Sequence, residues 1–286
     1  MSMRSALVLF LALALGWPAR AAAHPSVSIV MDRNGNVFYS DLNRVWMVTP
    51  DGRKSIAVPN VHSHELFMDP AGNLYGEHLW YEKAPAKKWR HRIWKRSPDG
   101  SITDVIPPSE GFRSDYSFVR DTAGMMYFTA RGPTLEIRKR KGAGTPSVHS
   151  RGPFADIRWM VAATDGSLYV IDGPDLKRIL PDGTARPFAA GIGARSITRL
   201  AVARRHAVMG LWVDSAQNVY AARYGAGDVK RISQAGEIAT VSRSPVPWSP
   251  TAVMTSPNGD LWILENSIIN EVRLKRISSS GVVRYY

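Results

Sequence analysis

Asp69-Pro70-Ala71-Gly72-Asn73-Leu74-Tyr75 reads as a tight turn running into a strand. Gly supplies the positive φ that a tight turn needs, and an aliphatic–aromatic pair suits a pleated segment. The pattern returns as Asp32-Arg33-Asn34-Gly35-Asn36-Val37-Phe38 and as Asp121-Thr122-Ala123-Gly124-Met125-Met126-Tyr127. Further copies are Ala163-Thr164-Asp165-Gly166-Ser167-Leu168-Tyr169, Asp214-Ser215-Ala216-Gln217-Asn218-Val219-Tyr220 and Ser256-Pro257-Asn258-Gly259-Asp260-Leu261-Trp262. Five of the six keep the Gly, and all six place an aromatic residue three positions further on.

A second pattern follows each first one: an aliphatic residue, basic or polar residues, then another turn. Ile93 to Gly100, Leu176 to Gly183, Val229 to Gly236 and Leu274 to Gly281 are the clearest, with Val45 to Gly52 and Ile137 to Gly144 completing the set. The residue seven before the Gly is aliphatic in every copy. Each repeat therefore holds four short antiparallel strands, a to d, with tight turns joining a to b and c to d. A period of about 40–50 residues is that of a β-propeller, and a ring buries both faces of sheets that could not bury them alone. The expected fold is all-β, one six-bladed propeller, with blades near 26–59, 60–107, 112–150, 154–190, 205–242 and 247–286. Strand a is doubly apolar, with Ile29-Val30, Leu66-Phe67, Phe118-Val119, Met160-Val161, Leu211-Trp212 and Val253-Met254, which predicts burial on both faces. The repeats start and stop in register with the chain, so ring closure is expected from packing of blade 6 on blade 1 without strand exchange.

The 286 residues contain no cysteine, which removes disulfides, thiolate metal sites and cysteine nucleophiles. The first 23 residues read as a signal peptide: Arg4, an apolar run from Ala6 to Trp17, the breaker Pro18, and small residues offering cleavage after Ala21 or Ala23. A periplasmic or secreted domain over 24–286 is expected, with no later membrane span and a monomeric state. The formal charge of +13 falls to +11 once Arg4 and Arg20 are removed. Lys95, Lys139, Arg178, Arg231 and Arg276 occupy equivalent places on strand c, so the charge is spread round the rim; this argues against nucleic acid.

Turns a–b and c–d are short and uniform, whereas the d–a and b–c connections vary and carry the apparent loop insertions 78–92 and 190–206. Function concentrates on such loops over a rigid scaffold. Five positions before each first turn stand Val27, His64, Tyr116, Arg158, Met209 and Thr251, which places His64, Tyr116 and Arg158 together at one tunnel mouth. Imidazole, phenol and guanidinium suit an anionic or carbonyl-bearing ligand and proton transfer, or else form a polar plug. His62, Glu65, Glu77, Asp115 and Asp156 are the neighbouring candidates for ligand binding. His62, His64 and His78 are candidate ligands for a divalent metal, two of them at i, i+2 on an extended segment.

The pairing of Asp-x-x-Gly-Asn-Leu-Tyr with Leu-Lys-Arg-Ile-x-x-x-Gly resembles NHL-repeat propellers and the SMP-30/gluconolactonase group over residues 26–286. Gly259-Asp260-Leu261-Trp262-Ile263-Leu264-Glu265 also resembles streptogramin-lyase propellers. The resemblance implies the propeller fold and leaves two activities open. One is binding of a small molecule, or of an envelope or extracellular protein, on the d–a/b–c face. The other is a lyase or hydrolase reaction using His64, Tyr116 and Arg158. The SMP-30 lactonases hold a divalent metal with Glu, Asn and Asp at the mouth position, where this chain has no carboxylate or carboxamide. Amidoglycolate-lyase propellers use His, Tyr and Arg, which His64, Tyr116 and Arg158 echo.

Overall fold

A computed structural model describes residues 25–113, 116–194 and 207–286. The leader, Asp115 and most of the 190–206 insertion lie outside the described residues. The described chain is all β, in six consecutive antiparallel sheets around an axis. Blade 1 is β1(Ile29–Met31), β2(Val37–Ser40), β3(Arg44–Val48) and β4(Lys54–Pro59). Blade 2 is β5(Leu66–Met68), β6(Leu74–Glu82), β7(Lys88–Arg96) and β8(Ile102–Glu110). Blade 3 comprises β9(Met125–Arg131), β10(Leu135–Lys141) and β11(Ser147–Ser150), its innermost strand reduced to the bridge between Arg120 and Met126. Blade 4 is β12(Ile157–Ala162), β13(Leu168–Asp172), β14(Asp175–Ile179) and β15(Ala185–Ala189). Blade 5 is β16(Gly210–Val213), β17(Val219–Arg223), β18(Asp228–Ile232) and β19(Ile238–Arg243). Blade 6 is β20(Trp248–Thr255), β21(Leu261–Ser267), β22(Val272–Ile277) and β23(Val283–Tyr285).

The turn motif is built by its first residue. Asp69 Oδ1 accepts the amides of Ala71 and Asn73, each at 2.9 Å, while Oδ2 takes Asn73 Nδ2 and the Tyr75 hydroxyl at 2.8 and 3.0 Å. Tyr127 and Tyr220 reach Asp121 and Asp214 in the same way. The conserved spacing of acid and aromatic is thus one hydrogen-bonded unit. Gln217, the copy without Gly, still adopts φ 62°, so the turn imposes the conformation on a residue that disfavours it.

Val45, Ile93, Ile137, Leu176, Val229 and Leu274, the aliphatic residues of the second pattern, are all completely buried. They form the sheet-to-sheet core with Tyr39, Tyr169 and Trp94. Strand a departs from expectation: Val30, Phe67, Val119, Val161 and Trp212 are only half-buried, because they line an open central tunnel. Blade 6 closes on blade 1 by packing Ala252, Met254, Trp262 and Leu264 against Ile29, Val37 and Tyr39. No strand is exchanged among the described residues, since β1 to β4 are contiguous and β23 pairs with β22. Two of the strand c cations are anchored: Arg178 and Arg276 lie over Tyr169 and Trp262 and pair with Asp165 and Asp260 at 2.5 and 2.6 Å.

The 78–92 segment is not a loop. It is the continuation of β6 and β7, paired without a break from Leu74 with Arg96 to Glu82 with Lys88. Its tip carries exposed Tyr81 and Trp89 in edge contact at 5.6 Å, with Phe112 against Trp89.

Candidate active site at the tunnel mouth

The d–a/b–c end of the tunnel opens into a cavity of about 400 Å³. Its polar wall is His64, Glu65, Glu77, His91, Arg113 and Tyr116; its apolar wall includes Val27, Trp159 and Met209. Blade 2 supplies most of the chemistry. His64 stands just before β5, whereas Glu77 and His91 project from β6 and β7 on one face of the sheet, toward blade 3.

Glu77 is the centre of the cluster. Its Oε1 accepts from His64 Nδ1 at 3.1 Å and from the His64 backbone amide at 3.2 Å. His91 Nε2 stands 3.5 Å from Oε2, and that imidazole is 95% buried with no hydrogen-bond partner on either ring nitrogen. Burial pushes the Glu77 carboxyl up, but the bond from His64 and the nearness of His91 outweigh it and hold it down at about 2. An ionised carboxylate only accepts, so His64 Nδ1 is the protonated nitrogen and Nε2 is the basic one. Glu65 lines the same cavity in the opposite state: burial and the neighbouring Glu77 charge push its carboxyl up to about 7. Two carboxyl groups on one cavity wall are thus driven apart, one fixed as an anion and one able to give a proton near neutrality.

Tyr116 is the third polar wall. Its hydroxyl accepts from Arg120 Nη2 at 2.8 Å, and burial raises its pKa against the pull of that guanidinium. Arg158 does not join this group. A register shift in β12 between Ile157 and Trp159 places Trp159 at the mouth beside Val27 and Met209, whereas Arg158 lines the tunnel but not the mouth cavity and pairs with Asp156 at 2.7 Å. Asp156 is accordingly spent on that pair and does not reach the mouth. His62 and His78 do not line the mouth cavity, although the His62 ring stands edge-on to that of His64 with centroids 4.8 Å apart. His62 Nδ1 bonds the Leu42 carbonyl at 2.9 Å, and His78 Nδ1 accepts the His62 amide at 2.8 Å. Burial lowers both imidazoles, with Arg92 helping to bring His78 down to about 4.

These contacts turn the nitrogens of His62, His64 and His78 toward separate partners. Among the described residues no three His, Asp or Glu side chains are grouped to hold a metal ion. The mouth position shared by the six blades carries apolar Val27 and Met209, and Thr251 there accepts Asn266 Nδ2 at 2.9 Å. This donor set does not fit the Glu, Asn and Asp triad of the SMP-30 lactonases. His91, Arg113 and Arg120 were not legible as site residues. His91 is brought to Glu77 by strand pairing inside a segment read as a loop, and Arg120 reaches Tyr116 from four residues away.

Fold and cluster together define a six-bladed propeller with an acid–base group at one mouth of its tunnel. The chain is similar in structure to SMP-30/gluconolactonase-like and virginiamycin B lyase propellers. Virginiamycin B lyase from Staphylococcus aureus superposes with a TM-score of 0.52 at 16% identity, over 90% of this chain and 82% of that one. A gluconolactonase from Xanthomonas campestris superposes with a TM-score of 0.55 at 14% identity, over 84% of this chain and 83% of that one. The calcium-binding protein regucalcin from Agrobacterium tumefaciens gives a TM-score of 0.54 at 16% identity, over 84% and 83%. No family model matches the chain, and no curated protein matches it.

Proposed function

We propose that the tunnel mouth binds a small carbonyl-bearing molecule and performs lyase or hydrolase chemistry on it by acid–base catalysis. The carrying observation is Glu77, which holds His64 Nδ1 on the wall of the cavity and leaves Nε2 as the basic nitrogen. Glu65 is the proton donor, and Tyr116, tied to Arg120, orients the carbonyl oxygen. The similar propellers named as a virginiamycin B lyase and a gluconolactonase support a reaction of this general kind. We place the domain outside the cytoplasm, on the strength of the leader over 1–23; among the described residues no helix is long and apolar enough to cross a membrane.

The test is a screen of lactones and lactone-closed cyclic peptides, with ring opening followed by proton release at neutral pH. Turnover of at least one substrate is expected, with His64→Ala losing about 10²–10⁴-fold in kcat and Glu65→Gln losing its activity toward neutral pH. A His64→Ala rate equal to that of the native chain sinks the reading. Elemental analysis of the purified protein runs beside it: stoichiometric metal that disappears in His64→Ala reassigns that imidazole from base to ligand.

A further inference from the structure

The tunnel below the mouth encloses a cavity of about 660 Å³, which falls in the range of small-molecule pockets. Its walls are mostly apolar strand a residues, among them Phe67, Met68, Met160, Val161 and Trp212. Arg120 stands in that wall. Arg158, which also lines it, is neutralised by Asp156, but Arg120 has no carboxylate within ion-pair distance among the described residues. Its polar contact is the bond from Nη2 to the Tyr116 hydroxyl, and its plane lies over the Phe67 and Tyr116 rings at 5.2 and 5.3 Å. Its Nε is buried with no acceptor. A guanidinium keeps its charge and offers five donors, so a half-buried one in a mostly apolar wall with no carboxylate beside it is a costly arrangement unless an anion completes it. The blade that carries Arg120 is the one whose inner strand is reduced to a single bridge, formed by Arg120 itself.

We propose that the tunnel is a binding site for a small amphipathic carboxylate, its charged end on the Arg120 guanidinium and its apolar body lying against the Phe67, Met160 and Trp212 walls. A carboxylate matches the guanidinium fork with two parallel bonds, and stacked aromatic faces around the cation favour a planar body. The site does not depend on the acid–base reading of His64, because the test reads binding and not turnover.

The probes are 3-phenylpropionate and its neutral isostere 3-phenylpropanamide, titrated calorimetrically into the whole protein. The acid is expected to bind at least about tenfold more tightly than the amide, and to raise the melting temperature where the amide does not. Arg120→Gln is expected to abolish that preference while leaving amide affinity unchanged. If Arg120→Gln fails to fold, Arg120→Lys, which keeps the charge and loses the fork, is expected to reduce the preference. Equal affinities in the native protein, an unaltered preference in the variants, or no binding of the acid at about 10 mM each overturn the proposal.

Discussion

Blades 2 and 6 both bury a carboxylate near the b–c end, and they neutralise it with opposite kinds of partner. In blade 6, Glu265 is fully buried; Ser244 donates to Oε1 at 2.6 Å and Arg273 to Oε2 at 2.6 Å. Arg273 is itself held between Trp248 and Tyr285, with centroids at 4.1 and 4.3 Å. Blades 3, 4 and 5 follow that design: Arg138 stands on Glu136, Lys177 on Asp172, and Arg223 and Lys230 on Asp228. Blade 2 departs from it by one rung. Glu265 pairs across the ladder with Arg273, whereas the corresponding rung of blade 2 holds His78 opposite Arg92. The acid has moved to Glu77, one residue inward, and a one-residue step turns a side chain to the other face. It therefore meets imidazoles beside an open cavity instead of guanidinium in a closed core. Permanent charge pairs lock a blade, while imidazole, which changes charge between pH 5 and 8, makes a site that can exchange protons.

The difference is broken most violently from the blade 6 side. Glu265→Ala leaves Arg273 half-buried between two aromatic rings without the carboxylate it pairs with, and removes the oxygen to which Ser244 donates. Removing one member of a buried pair costs about 3–5 kcal/mol, so urea unfolding is expected to show a loss of that size. Glu77→Ala should cost far less, because the imidazoles it leaves behind can be neutral whereas a guanidinium cannot. Equal losses for the two variants would mean that the two acids do the same structural work.

Gly76 sharpens the contrast by a smaller step. Blade 6 has Ile263 two residues after Leu261, whereas blade 2 has Gly76 two residues after Leu74. A Cβ at Gly76 would stand 2.2 Å from the Trp94 ring, which is fully buried and whose Nε1 donates to the Glu77 carbonyl at 2.9 Å. Overpacking of this kind costs about 1–3 kcal/mol, and Gly76→Ala is expected to lose that much while also impairing activity through the displaced Glu77 backbone. A variant as stable as the native chain would show that Trp94 has room to yield.

The fold was legible because its signals are local. A turn acid, a positive-φ residue and an aromatic residue close one hydrogen-bonded unit within seven positions, and the aliphatic residue of the second pattern falls in the core of every blade. The mouth was legible only in part. His64, Glu65, Glu77 and Tyr116 do converge, because they sit at repeat-defined positions near strand ends. Arg158 was misplaced by a bulge in β12, which has no sequence mark in the repeat. His91 was invisible because its nearness to Glu77 depends on the register of a nine-residue hairpin that the composition disguised as a loop. The metal reading of His62, His64 and His78 rested on spacing: the His62 and His64 rings do stand edge-on with centroids 4.8 Å apart, but no three His, Asp or Glu side chains are grouped to hold an ion among the described residues.

The finest probe of blade 2 is the pH dependence of its two carboxyls, which act with opposite sign. Glu65 is raised to about 7 in the folded protein from the ordinary range near 4.5. Between those values the unfolded chain releases the proton that the folded chain keeps, so stability falls as pH rises from about 4.5 to about 7 and then levels. Glu77 is lowered to about 2, so its contribution is complete above about 4.5 and is lost as pH falls toward 2. The site is therefore most stabilising near pH 4.5, below the neutral range in which it is proposed to work. Glu65→Gln keeps the shape and removes the charge, and it is expected to flatten the decline between pH 5 and 8. At pH 8 it should melt higher than the native chain by a few degrees, which corresponds to about 1–2 kcal/mol. An unchanged slope over that interval would place Glu65 in contact with water and remove the proton donor from the proposed mechanism, leaving His64 and Tyr116 to share that role.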